Sequence, residues 1–209
     1  MREKSRRIIM TVSGVLLAGF SVGMFNCSAF GMDPFQVFAH GIWLHTKIGY
    51  GTFYTLLNFV MLIGVFFVDR KKIGLGTFIN MFLLGYVVQF STWLFHSWIP
   101  EPNLVQKILF LLFGLLVLCL ASSLYFTGDL GVSTYDAVAL ILSEKTPVRF
   151  YILRVGADFI CTVIGFTLGA AVGAGTIATA LFMGPVITFF NNKVSIPLLY
   201  GREKKTFSV

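Results

Sequence analysis

Two polar side chains lie deep inside apolar stretches of the sequence, and they are one hundred positions apart: Asn58 and Asp158. At a rise of 1.5 Å per residue, each would lie roughly 10–12 Å inside its helix, approaching the middle of a bilayer core about 30 Å thick. A buried aspartate costs at least about 2.5–3.5 kcal/mol there, so it normally faces a cavity or a partner. We therefore predict that Asn58 and Asp158 line a solute site.

The spacing also allows a purely structural interpretation of Asp158. Arg154 precedes it by four residues, which places both side chains on one helix face and favours an ion pair. Arg154 is also close enough to the start of its segment to extend towards the inner membrane surface. If Asp158 is functional, we expect it to couple transport to protons, with Arg154 modulating its charge.

Two short turns repeat the same chemistry one hundred residues apart, Gly31–Gln36 and Gly131–Asp136. Asp33 and Ser133 are good N-cap residues, and Gln36 and Asp136 fall three positions later, as in a capping box. Capping alone would explain these four polar residues. The same geometry also aims two helix N-termini at a cavity, where they are able to bind an anionic group.

The glycines of the two turns, Gly31 and Gly131, would let the backbone bend and approach a ligand closely. The predicted solute-binding residues therefore share one property: they are polar or glycine residues in matching positions of two segments. They are Asn58, Asp158, Gln36, Asp136, Asp33, Ser133, Gly31 and Gly131.

The matches extend along the whole chain at an offset of 99 to 100 residues. Gly14 corresponds to Gly114, and the segment 73–78 corresponds to 172–177. Each half also carries three glycines in matching positions, Gly74, Gly76 and Gly85 and then Gly173, Gly175 and Gly184. Small residues let helices approach closely in lipid, so we predict that these six pack helices together.

The composition, 56% hydrophobic and 12% charged, is that of an integral membrane protein. Six segments are long enough to span, and two shorter ones are not. The predicted spans are 8–29, 51–68, 75–96, 105–127, 150–171 and 175–191, and the short segments are 34–45 and 134–143. We predict an all-α membrane protein with two inverted three-span repeats, each with a short re-entrant or interfacial helix after its first span. The repeats are 1–99 and 108–209, joined by an outer linker at 100–107.

The basic residues give the orientation. With the N-terminus in the cytoplasm, fourteen of the sixteen Lys and Arg residues fall on the inner side, and only Lys47 and Lys107 fall outside. This positive-inside pattern predicts that both termini are cytoplasmic. The net charge of +7 is therefore attributed to topology, and we predict no nucleic-acid partner. Cys27, Cys119 and Cys161 match no redox or zinc spacing, and the histidines share no ligand spacing.

The first turn, the apolar run to Leu44 and the later segment Gly74–Asn80 together resemble the YczE/YyaS/YitT-type bacterial membrane proteins. The resemblance covers nearly the whole chain. In that family an acid follows the aromatic residue of the turn, whereas this chain has Gln36 in the first copy and Asp136 in the second. The resemblance implies a multi-pass protein of the bacterial cytoplasmic membrane, with transport as one candidate activity, and does not by itself settle the function.

We therefore expect a secondary transporter (permease) for a small polar solute, anionic solutes included, working by alternating access between inverted repeats. The alternative is a membrane scaffold or regulatory subunit that acts through helix contacts without transport. We expect no enzymatic activity, no cofactor and no metal. The expected partners are the solute and the lipid bilayer, and the sequence leaves open a homo-oligomer or another membrane protein.

Overall fold

The computed structural model describes residues 2–148 and 150–201, and the described residues form helices joined by short connections. The helices are α1 (Arg2–Ser28), α2 (Pro34–Trp43), α3 (Tyr50–Asp69), α4 (Leu75–Trp98), α5 (Leu104–Gly128), α6 (Thr134–Lys145), α7 (Phe150–Thr167), α8 (Ala174–Phe190) and α9 (Ile196–Tyr200). A 3₁₀ turn at Arg70–Lys72 follows α3, and a π-helical turn at Asn191–Ser195 joins α8 to α9.

Both short helices predicted from the sequence are present, and both begin at the predicted caps. The Asp33 carboxylate accepts from the backbone N–H of Phe35 at 3.1 Å, and Pro34 occupies the first helical turn of α2. The Ser133 hydroxyl accepts from the backbone N–H of Asp136 at 3.1 Å at the start of α6. With 10 and 12 residues, α2 and α6 are too short to cross a bilayer core of about 30 Å.

The long helices carry the apolar length that a membrane requires. In the described part of the chain, four segments are long and apolar enough to span: Glu3–Ser28, Tyr50–Asp69, Leu75–Trp98 and Leu104–Gly128. Ala174–Ala180 and Phe182–Tyr200 are bent by 55° relative to each other, and they count as a fifth candidate span if the pair crosses as one broken helix. The protein is therefore a multi-pass membrane protein. α7 ends at Thr167, four residues before the predicted end of its span, and is not among these segments, so the count of six stays a prediction.

Helix α1 is central to the packing, because α4 and α5 both lie along it. A Cβ atom on Gly14 would come within 2.8 Å of the Ala121 carbonyl oxygen, and one on Gly19 within 2.4 Å of Val87. The Ser21 hydroxyl donates to the Gly114 carbonyl at 2.7 Å. These small residues allow backbone-to-backbone contact, which drives helix association in lipid.

Each half of the chain makes a backbone hydrogen bond to the connection that precedes the short helix of the other half. The backbone N–H of Gly76 donates to Leu130 O at 2.6 Å, and the N–H of Gly175 donates to Phe30 O at 2.7 Å. At the repeat offset of 99 to 100 residues, Gly76 corresponds to Gly175 and Leu130 corresponds to Phe30. The two hydrogen bonds are therefore equivalent, with the roles of the two halves exchanged. The pairs Gly31 with Gly173 and Gly131 with Gly74 are exchanged in the same way.

A second exchanged contact joins the short helices to the long ones. α2 packs on α7, where a Cβ on Gly165 would come within 2.4 Å of the Val37 carbonyl oxygen. α6 packs on α3, where Val65 clusters with Ala137 and Ile141. Such reciprocity, in which a contact between i and j recurs between their counterparts, is the property of an isologous interface.

The packing role predicted for the repeated glycines is found at five of the six positions. Gly74, Gly76, Gly85, Gly173 and Gly175 would each bring an added Cβ to 3.1 Å or less from a neighbouring atom. Gly184 is the exception, because nothing lies within 4 Å of its Cβ position and it faces a cavity. The packing interpretation is therefore wrong for this residue.

The two ends of the described chain meet. The Arg6 guanidinium donates to Leu199 O at 3.2 Å, and that of Arg7 donates to the Tyr200 hydroxyl at 2.9 Å and to Gly128 O at 3.2 Å. Lys193 is in the π-helical turn that precedes α9. The basic N-terminus of α1 and the start of the C-terminal tail thus lie on the same side of the helix bundle.

The exchanged glycine contacts yield a stability prediction. Gly131 has φ +108°, and an added Cβ would lie 2.6 Å from Gly74 N. The Gly131→Ala protein should therefore be less stable by at least about 1–3 kcal/mol, the cost of such a backbone conformation in a residue other than glycine. Thermal unfolding of the purified protein in detergent measures this change.

The matched control is Gly64→Ala in α3, where nothing lies within 4 Å of the new methyl group. That change should be neutral or stabilising by up to about 1 kcal/mol, as expected for glycine to alanine inside a helix. Equal melting temperatures for the two variants would contradict the exchanged contacts.

Candidate functional site

A cavity of about 390 Å³ lies between the two halves of the chain. Six of the eight predicted solute-binding residues line it, together with Arg154: Asp33, Gln36, Asn58, Ser133, Asp136 and Asp158. Gly31 and Gly131 are not in its lining. They have positive φ angles, +89° and +108°, and pack against the backbone of the opposite half, so backbone conformation and helix packing together account for the glycines.

An ionic network from the second half forms one wall. The Arg154 guanidinium contacts the carboxylate of Asp136, and its Nε lies 3.3 Å from Asp158 Oδ1. Ser133 Oγ donates to Asp136 Oδ2 at 2.6 Å. The structural pair between Arg154 and Asp158 that the spacing suggested is therefore present, and Arg154 points into the cavity instead of extending to the inner surface.

Tyr135 joins this network to the first half. Its hydroxyl donates to Asp158 Oδ1 at 2.6 Å, and the Arg154 guanidinium carbon lies 4.5 Å from the centre of its ring. Its ring also stacks on Phe35, with centroids 4.6 Å apart and an interplanar angle of 17°. Phe35 and Tyr135 are repeat partners, so corresponding residues of the two halves meet face to face beside the cavity.

The first half contributes neutral side chains, Gln36 and Asn58, to the opposite wall, and Asp33 is the carboxylate that it adds to the described lining. The Tyr50 hydroxyl donates to Gln36 Oε1 at 2.5 Å, and the buried Asn58 donates to Tyr54 O at 2.8 Å. Asn58 Oδ1 in turn accepts from the Thr134 hydroxyl at 2.5 Å. Gln36 is thus engaged by a tyrosine side chain, and the helix start of α2 is capped by Asp33.

The two walls are diverged copies of one arrangement. The corresponding residues are Gln36 and Asp136, Tyr54 and Arg154, and Asn58 and Asp158. In each of these pairs the first half carries a neutral side chain and the second half a charged one. The two halves therefore use the same three positions for different chemistry, hydrogen bonding in one and ion pairing in the other.

Asp33 differs from the other two carboxylates of the cavity. It lies in the connection between α1 and α2, outside the long helices, and among the described residues its hydrogen-bond partner is the backbone N–H of Phe35. Burial raises the pKa of the Asp33 carboxyl to about 6, and the charge of Asp158 raises it as well, while Arg154 and the backbone N–H groups of Phe35 and Gln36 lower it. Asp33 is thus able to change charge near neutral pH.

Sequence reasoning missed three residues that organise the site: Tyr135, Thr134 and Tyr54. Tyr135 and Thr134 belong to the second repeated turn. Their positions in the sequence did not indicate that Tyr135 would contact Asp158 in α7 or that Thr134 would contact Asn58 in α3. The alignment of Phe35 with Tyr135 was the available signal, because corresponding residues of two similar units can meet where the units pack together.

The comparisons with known proteins agree with a bacterial membrane protein. A relative in Haemophilus influenzae, described as an uncharacterized protein, is 26% identical over 189 residues, which cover 88% of this chain and 85% of the relative. The uncharacterized membrane protein YczE of Bacillus subtilis is 22% identical over 200 residues, covering 94% and 91%. The uncharacterized protein YyaS of the same organism is 20% identical over 177 residues, covering 85% and 88%. No solved structure matches the chain significantly.

These findings define a class, the multi-pass helical membrane proteins related to YczE and YyaS, which confirms that part of the resemblance predicted from the turns. The chain belongs to the family of unknown function DUF6198, whose model matches residues 5–192. The match includes every helix that contributes to the cavity.

The ionic wall yields a second prediction. Arg154→Gln leaves the carboxylates of Asp136 and Asp158 close together without a cation, so the protein should be less stable by about 1–3 kcal/mol. Adding Asp158→Asn removes the repulsion, and the double variant should be more stable than the sum of the two single changes predicts, by about 0.5–3 kcal/mol. Unfolding in mixed detergent micelles measures these differences.

The control is Lys72→Gln, which breaks the pair between Lys72 Nζ and Glu144 Oε1 at the bundle surface, 2.5 Å apart. An exposed pair of this kind contributes at most about 1 kcal/mol. Strict additivity of Arg154→Gln and Asp158→Asn would show that Arg154 does not link the two carboxylates.

Proposed function

We propose that the protein is a secondary transporter that moves a small polar solute across the bacterial cytoplasmic membrane by alternating access. The supporting observation is the cavity itself, which both halves line with polar side chains at corresponding positions. Among secondary transporters, a site at the interface of two repeats is frequent, because rocking one repeat against the other exposes it to each side in turn. The proposal assigns no chemical reaction to the protein.

The proposed topology is six spans in two inverted repeats, with α2 and α6 as short helices that enter without crossing. The exchanged contacts support a two-fold relation between the halves, and an odd number of spans in each half makes that relation an inversion. In this arrangement α7 (Phe150–Thr167) is the fifth span, and Arg154 and Asp158 lie within it and line the cavity. Residues 202–209, which the prediction places in the cytoplasm, lie outside the described residues.

The outer surface of the helix bundle carries exposed apolar side chains, as expected for a surface in contact with lipid. Large apolar side chains such as Phe67 and Trp98 are more than two thirds exposed, at 82% and 71%. In water such a surface would favour aggregation, whereas in a bilayer it faces acyl chains. Polar side chains are concentrated instead in the cavity, where Asn58 is 1% exposed.

The side chains that line the cavity would bind the charged and the hydrogen-bonding groups of the solute. Asp136 and Asp158, with Arg154 between them, form an ionic wall from the second half. From the first half, Gln36 and Asn58 add neutral groups and Asp33 adds a carboxylate. A solute with both charged and hydrogen-bonding groups would meet complementary chemistry on opposite sides. In the proposed cycle, relative motion of the two halves opens the cavity to each membrane surface in turn.

Two-sided accessibility tests this function. The half-buried Ser122 lines the cavity from α5, so Ser122→Cys in a variant lacking the three native cysteines reports on the cavity without removing a charge. We expect a membrane-impermeant maleimide to label it from the outside in intact cells and from the inside in inverted vesicles. A proton gradient should change the ratio of the two rates, because it shifts the populations of the two states.

Two reference variants calibrate the experiment. Glu101→Cys, in the exposed linker, should react only from outside, and Lys145→Cys, at the exposed end of α6, only from inside. Labelling of both references from the same side would refute the proposed topology. Labelling of Ser122→Cys from one side only, under every gradient, would refute alternating access and favour a membrane scaffold.

A further inference from the structure

The cavity has more acidic than basic groups, which bears on the charge of its solute. Among the described lining residues, four are charged types: Asp33, Asp136, Asp158 and Arg154. Even with the N-termini of α2 and α6 counted as about half a positive charge each, the carboxylates exceed the positive charges by about one unit. An anionic solute would add to this excess, and both helix starts already have caps in Asp33 and Ser133.

The aromatic side chains of the cavity favour the same class of ligand. Phe35, Tyr54 and Tyr135 line it, and the Arg154 guanidinium already lies over the Tyr135 ring. Aromatic faces attract cations, and quaternary ammonium groups in particular are recognised by them. A volume of about 390 Å³ is in the range of sites for small organic molecules and is far larger than a bare metal ion needs.

The three carboxylates are not equally free to bind a cation. Asp136 and Asp158 share the Arg154 guanidinium, and each also accepts a hydroxyl hydrogen bond, from Ser133 and Tyr135 respectively. In the described part of the chain, Asp33 has only its backbone cap. It is therefore the carboxylate able to exchange a proton for another cation without breaking an ion pair.

We infer that the cavity binds a small organic cation with an ammonium group, and that this cation and a proton compete for the carboxylate of Asp33. The inference rests on the proposed function in that the same cavity is the solute site. It moves the coupling role from Asp158, the candidate from the sequence, to Asp33. Binding of the cation to protonated Asp33 releases one proton, so charge is conserved and the protein can act as an exchanger of cations for protons.

The groups that face Asp33 set the pH range of this exchange. They are Tyr50 and Tyr54 from α3, Tyr135 and Asp136 from α6, and Arg154, Asp158 and Cys161 from α7. With the pKa of Asp33 near 6, the ionised fraction falls about tenfold from pH 7 to pH 5, and the apparent affinity for the cation should fall by about the same factor.

Calorimetry on the purified full chain in detergent tests the inference, with tetramethylammonium chloride as the probe. We expect binding at pH 7 and about tenfold weaker binding at pH 5. Near pH 6 we expect proton release, which makes the measured heat of binding depend on the ionisation enthalpy of the buffer. Asp33→Asn should bind at pH 7 at least as weakly as the unaltered protein does at pH 5 and should lose the pH dependence. Asp129→Asn, the same change at an exposed carboxylate beside Arg7, should behave as the unaltered protein does.

Several results would overturn the inference. The inference would be wrong if benzoate bound in place of tetramethylammonium, or if tetramethylammonium did not bind at pH 7. It would also be wrong if sodium ions displaced tetramethylammonium at equal concentration. A pH dependence that survives Asp33→Asn but disappears in Asp158→Asn would likewise overturn it. The outcome is separate from that of the labelling experiment. Two-sided labelling with benzoate binding would keep the transporter and reject the cation, whereas tetramethylammonium binding with one-sided labelling would keep the cation site and reject transport.

Discussion

The cavity depends on one constraint, the close backbone contact through which each half anchors the short helix of the other. Gly76 and Gly175 donate to carbonyl oxygens just before Gly131 and Gly31, and glycines line both sides of each contact. In a bilayer an unpaired backbone group costs several kcal/mol, so these bonds fix where α2 and α6 begin. Their first turns then present polar side chains to the space between the halves.

On this shared framework the two halves have diverged in charge. The second half concentrates Asp136, Arg154 and Asp158, while the first half keeps Gln36, Tyr54 and Asn58 at the same positions. An exchanger needs a polar site with a group that changes its charge. If both halves carried carboxylates at these matching positions, the carboxylates would repel one another. Concentrating one guanidinium and two carboxylates on one wall limits that repulsion.

Much of this arrangement could be predicted from the sequence, because it depends on local rules. The caps at Asp33 and Ser133, the lengths of α2 and α6 and the polar residues of the cavity follow from capping, helix length and burial cost. The contacts of Tyr135 could not be predicted, because they depend on how α6 packs against α2 and α7. The same is true of Gly31, whose need for glycine comes from a backbone neighbour 142 residues away at Gly173, and of the acidic excess, which becomes visible only when Asp33 is placed beside Asp158.

The central claim is that two interlocked halves carry an organic cation through this cavity in exchange for protons. Proton flux in proteoliposomes that contain only this protein and a trapped pH dye tests it most directly. An inward gradient of tetramethylammonium, at zero membrane potential, should drive protons out and raise the internal pH, at a rate that saturates with concentration and is absent from protein-free liposomes. A pH trace identical to that of protein-free liposomes under the same gradient would contradict the account.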